Sequence, residues 1–261
     1  MLKSLHYKRF CIAIVFCLFG KIQLSALGNS QLDSLIKIVQ TSKTDTIKVN
    51  NLHEICWLYL ISGDYKNAEN SANTALRMSV NLNFKMGIAK SLNRLSNIST
   101  ATAQYNKAIN YANTALKIMQ ELNYKKGIAA VNGSIGNIYT QQNNYTMALN
   151  YYLKCAQIMH ELNDSQGTAE SYSNISIILK NLGDYHKAIE YSQRALEIKI
   201  ELKDSLGISI SLSNLASVYQ EKGDNQKALA TFQKSLKIDQ LLNDKFGEAS
   251  SFLNIGICYI Y

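Results

Sequence analysis

The chain has 261 residues, 47% of them hydrophobic, with 27 Lys and Arg against 19 Asp and Glu and no proline. That content suffices for a sizeable core and excludes a disordered polar chain, while the absence of Pro and only 13 Gly argue for long unbroken helices and against a sheet-rich fold. Four of the 27 basic residues and none of the 19 acids lie in the first 28 positions, which leaves 23 against 19 and a net charge of +4; no cluster of Lys and Arg interleaved with aromatics remains, so no nucleic-acid partner is expected.

In chain order, Lys3, Lys8 and Arg9 precede an apolar run of eleven residues, Phe10 to Gly20, followed by small residues at Ser25, Ala26 and Gly28. This pattern predicts a secretory signal peptide over 1–28, cleaved before Asn29, and hence an exported, periplasmic or extracytoplasmic protein. The run is well short of the ~20 residues of a spanning helix. Residues 29–47 hold a lead-in helix, over Gln31 to Val39, that caps the amino end.

From residue 48 to 261 the chain repeats. Ala68, Ala108, Ala148, Ala188 and Ala228 are 40 residues apart, as are Gly87, Gly127, Gly167, Gly207 and Gly247, with no insertion or deletion. The period predicts five full units and the first helix of a sixth. Each unit reads as two helices. Tyr172, Ile175, Leu179 and Leu182 form an apolar stripe at helical spacing on the first, and Ala188, Ala195 and Leu202 one on the second. At the turn, Gly183 supplies a left-handed residue and Asp184 a helix cap; Asn143 and Asn144 suit the same geometry, whereas Ala103 and Gln104 make the weakest turn. Small residues recur where helices cross closely: Cys56, Ser96, Gly136, Ser176, Ala216 and Gly256 on first helices, Ala75, Ala115, Cys155, Ala195 and Ser235 on second ones. Tyr59, Tyr139, Tyr219 and Tyr259 are expected to complete these contacts.

A small residue in the first helix, Tyr three positions on, Ala opening the second helix and Ala seven later together resemble the tetratricopeptide repeat, in a 40-residue variant similar to that of kinesin light chains and many bacterial regulators. The resemblance implies an all-α fold, a right-handed superhelical solenoid of antiparallel helix pairs, with the first helices lining the concave side. The chain stops two residues past Tyr259 without the sixth unit's partner helix, so it is read as a partial copy of a longer protein.

No catalytic constellation is present, and no enzyme, cofactor or metal site is expected. His53, His160 and His186 sit in different units and read as surface or groove residues, the Gly residues as repeat punctuation, and Asp164, Asp204 and Asp244 as helix caps. Cys56, Cys155 and Cys258, the three Cys beyond the signal, have no metal-ligand spacing and read as small packed residues. Carried over from the family, the concave face receives Lys90, Asn93, Arg94, Asn97, Asn137, Asn174, Ser213, Asn214 and Asn254. Asn174, Asn214 and Asn254 keep the 40-residue register although Asn is a poor mid-helix residue, so they form a ladder of amides for the backbone of an extended peptide; bonding to neighbouring helices is the competing reading. Lys90 and Arg94, four apart, suit a terminal carboxylate, as such a pair does in peptide-clamping members of the family, although the preceding unit offers Asn50 and Glu54 where that clamp has Lys and Asn. The function expected is a non-enzymatic interaction scaffold holding a peptide or protein segment in the concave groove. Its alternative is the extracytoplasmic sensor region of a histidine kinase or transcriptional regulator, meeting the membrane only through the signal or a missing carboxyl-terminal segment.

Overall fold

The computed structural model describes residues 30–260, so the expected signal over 1–28 lies outside the described residues. Among these residues there are twelve helices and no strand. They are α1 (residues 30–41), α2 (Thr46–Ile61), α3 (Tyr65–Asn81), α4 (Lys85–Ala101), α5 (Tyr105–Glu121), α6 (Lys125–Gln141), α7 (Tyr145–Glu161), α8 (Ser165–Asn181), α9 (Tyr185–Glu201), α10 (Ser205–Lys222), α11 (Asn225–Leu241) and α12 (Lys245–Cys258). No helix among them is long and apolar enough to cross a membrane.

Helices α3 to α12 begin at steps of 20 residues, half the sequence period, because the turns within and between units share one geometry. The ten residues Gly63, Asn83, Ala103, Asn123, Asn143, Asn163, Gly183, Lys203, Gly223 and Asn243 all have positive φ. At each of them its own amide and the next fold back onto the preceding helix: Gly183 N–H donates to Lys180 O and Asp184 N–H to Leu179 O, both at 3.0 Å. The next side chain then caps the following helix. Asp164, Asp184 and Asp204 accept from Gly167, Lys187 and Gly207 amides, and Asp244 from Phe246 N at 3.1 Å, whereas Phe84 and Tyr124 contribute no such bond.

The turn at Ala103 and Gln104 keeps the same backbone bonds, with Gln104 N–H to Ser99 O at 2.7 Å. It holds them with a Cβ at φ 57°, and Lys203 does so at 55°. The left-handed conformation is costly for both, so Ala103→Gly and Lys203→Gly are each expected to stabilise the protein by about 0.5–1 kcal/mol in denaturant titrations. Equal destabilisation by both would contradict the turn assignment.

The described residues form two compact units, divided between Gln104 and Tyr105 at that turn. In the first, Val49, Leu52 and Ala75 are buried together with Val39 of α1, Met78 and Phe84 packed against them. In the second, Ala148, Tyr152, Ile175, Ile178, Leu179, Ala188 and Val218 form a core across the four helices α7 to α10, and Ala216, Ala228, Phe232 and Cys258 form another at its carboxyl end. Leu182 and Leu202, placed in the apolar stripes by spacing, instead lie just past α8 and α9 and are exposed, since each helix ends one residue earlier.

Gly87, Gly127, Gly167, Gly207 and Gly247 are not in the turns that Gly63, Gly183 and Gly223 occupy. They lie in the first turn of α4, α6, α8, α10 and α12, where a side chain of the preceding helix fills the space a Cβ would need. A Cβ at Gly167 would stand 2.7 Å from Met159 Sδ, at Gly207 2.7 Å from Lys199 Cδ and at Gly247 2.7 Å from Asp239 Cγ. Asp239 is buried there and accepts from Ser209 and Ser251 hydroxyls. Of the close-crossing small residues, Cys56, Ser96, Gly136, Ser176 and Ala216 are buried, but Gly256 is exposed. Tyr59, Tyr139 and Tyr219 are half-buried, whereas Tyr259 is 71% exposed. The reason is common to both: no described helix covers that face of α12.

Candidate functional site

The expected site residues fall in the two units separately. In the first unit, Lys90, Asn93, Arg94 and Asn97 lie on one side of α4, all half-buried. The Arg94 guanidinium stands over the Trp57 ring of α2, 5.1 Å from its centroid. Neither Lys90 nor Arg94 forms an ion pair among the described residues, and Glu54 and Asn50 of α2 point to solvent.

Beneath this pair, His53 corrects an expectation. It is 3% exposed rather than a surface residue, with Nε2 2.8 Å from Ser91 Oγ on α4. Burial, then the positive charges of Arg94 and Lys90, lower its pKa from 6.5 to about 3, so the imidazole is neutral. Among the described residues, its Nδ1 and the Asn93 Oδ1 are buried without a hydrogen-bond partner. His160 and His186 are exposed.

In the second unit, Asn174, Asn214 and Asn254 lie half-buried on α8, α10 and α12, and their side chains make no hydrogen bond among the described residues. Asn137 on α6 is different: although exposed, its Oδ1 accepts from Tyr152 OH on α7, within its own helix pair. Ser213 bonds Ser235 at 2.8 Å and so faces α11.

Sequence reasoning passed over the neighbours of the Asn column. Leu206 and Ile210 on α10 and Phe246 on α12 are 49%, 53% and 52% exposed. The signal was available, because Leu206 and Phe246 share the 40-residue register of Lys126 and Gln166. Apolar side chains thus replace polar ones at a position the repeat leaves in solvent. Among the described residues no three His, Cys, Asp or Glu side chains gather as a metal site.

A tetratricopeptide repeat family profile matches residues 127–201 and 207–261. Among curated proteins, none matches the sequence. Among solved structures, BtubC (BKLC) from P. vanneervenii is similar with a TM-score of 0.66 at 22% identity, over 85% of this chain and 92% of that one. A putative kinesin light chain of nearly identical TPR-like repeats from Podosopora anserina has a TM-score of 0.62 at 15% identity, over 76% of this chain and 97% of its own. A Rap protein complexed with Competence and Sporulation Factor has a TM-score of 0.62 at 17% identity, over 82% of this chain and 65% of its own. At these identities the likeness is one of fold: an all-α solenoid of antiparallel helix pairs. With its two-helix unit recurring every 40 residues and its carboxyl-terminal half matched by the family profile, the chain belongs to the tetratricopeptide repeat family.

Proposed function

We propose that the chain is a non-enzymatic interaction protein whose second unit holds an extended segment of a protein or peptide along the face made by α8, α10 and α12. The observation that carries this reading is the column of three half-buried carboxamides, Asn174, Asn214 and Asn254, without side-chain partners among the described residues. Asn costs helix stability relative to Ala, and a half-buried amide without a partner adds to that cost. A ligand backbone offers alternating donors and acceptors that match a carboxamide. The Rap protein of similar fold, described in complex with Competence and Sporulation Factor, supports this kind of use for the fold. In the first unit, Lys90 and Arg94 suit an acidic group of a partner, which would draw Arg94 off the Trp57 ring.

The test is affinity against stability in the Asn174→Ala, Asn214→Ala double variant. Peptides selected on the wild-type chain from a random ten-residue library are expected to bind it roughly 30-fold more weakly, at about 1 kcal/mol per lost hydrogen bond. Its melting temperature should hold or rise, since Ala favours the helix. Unchanged affinity with a lower melting temperature would assign these Asn residues to the fold and remove them from the site.

A further inference from the structure

The face that carries the Asn column changes chemistry along its length. Glu170 on α8 and Ile210 on α10 occupy one 40-residue register, and both are exposed. Glu170 accepts from Gln166 Nε2 at 2.8 Å and has no cationic partner among the described residues. One helix further, Ile210 and Leu206 are exposed, and so is Phe246 of α12 in the register of Leu206; by register the three make an apolar shelf, with no charged side chain of α10 or α12 at these positions. An acid thus stands one helix away from an apolar shelf, with Asn174, Asn214 and Asn254 beside them.

Spacing selects the shape of the occupant. Packed helices lie about 8–10 Å apart. A polyproline-II segment advances about 9 Å in three residues and turns once, so its side chains i and i+3 point the same way. A β-strand points them to opposite faces. Polyproline II also leaves every backbone N–H and C=O unpaired, as a column of carboxamides requires.

Building on the proposed function, we infer that the second unit takes a polyproline-II-like segment carrying a Lys or Arg and a bulky apolar residue three positions apart. The Asn column bonds its backbone, Glu170 takes the cation and the Leu206, Ile210 and Phe246 shelf takes the apolar side chain. The acid supplies the charge complement and the shelf the buried area, so specificity lies in the pair rather than in either alone.

The experiment is selection of a phage-displayed random ten-residue library on the purified chain, followed by affinity measurement with synthetic peptides from the enriched pool. The wild type is expected to enrich Lys or Arg three positions from Leu, Ile or Phe, in one consistent order. The exposed-residue variant Ile210→Ser, Phe246→Ser should lose the apolar preference and Glu170→Gln the cationic one, each with about tenfold weaker binding of the synthetic peptide. Enrichment without this spacing, apolar residues at helical spacing, or equal binding by these variants would overturn the inference. If those peptides still depend on Asn174 and Asn214, the reading of the amide column stands without it. If nothing is enriched over the bare support, both fall.

Discussion

Between pH 6.5 and 4.5 the first unit is expected to lose about 2–3 kcal/mol of stability, followed by fluorescence of Trp57, the only tryptophan, which lies one helical turn from His53. The folded pKa of His53 is lowered to about 3, against 6.5 for the ordinary residue, because a charged imidazole in that place would be desolvated and would face Arg94 and Lys90. Below pH 6.5 the unfolded chain therefore binds a proton that the folded chain refuses. Stability is full above that pH and falls by about 1.4 kcal/mol per pH unit down to the folded value. Carboxylate caps such as Asp184 and Asp224, held below their usual range by hydrogen bonds from Lys187 and Lys227, lose their contribution only at lower pH. His53→Gln, which can still bond Ser91, should flatten the dependence between pH 6.5 and 4.5. An unchanged slope in that variant would show that His53 is not the titrating group.

The second large effect separates two glycines of one register. A Cβ at Gly136 would lie 2.7 Å from Tyr152 Cε1, whereas at Gly256 it would meet no atom of the described residues within 4 Å. The Tyr152 ring cannot yield easily, because its hydroxyl is bonded to Asn137 and lies 3.3 Å from Thr140 Oγ1. Gly136→Leu is therefore expected to cost about 3 kcal/mol through overpacking between α6 and α7. Gly256→Leu should be neutral or stabilising by up to about 1 kcal/mol, since Leu is the better helix former. Urea titrations that show equal losses for the two would mean that the α6–α7 contact is not what makes the position small.

The helix pairs were legible because duplication wrote their packing residues in one register: the small residues of the first helices are buried wherever a second helix covers them. The 20-residue spacing of the turns was not, since Gly, Asn, Ala and Lys look unlike one another and share only a positive φ. In the sequence Gly167, Gly207 and Gly247 look like punctuation, because what excludes a Cβ there is a side chain eight residues earlier, across a turn. His53 was misplaced for a similar reason: its cover and its hydrogen bond come from Ser91 and α4, 38 residues away. In the candidate site, the Asn column was visible as a periodic departure from helix preference. The apolar residues beside it are harder to see: taken singly, Leu206, Ile210 and Phe246 look like core residues, and only the register that Leu206 and Phe246 share with Lys126 and Gln166 marks that position as exposed.

The most direct measurement on the central claim is the response of side-chain amide NMR signals of the labelled protein to a peptide selected on it. The NH2 resonances of Asn174, Asn214 and Asn254 are expected to move together and saturate with the same affinity, while that of Asn110, on the second-helix side at α5, stays in place. Saturable binding that leaves those three amides unmoved and shifts residues of α7, α9 and α11 instead would contradict it.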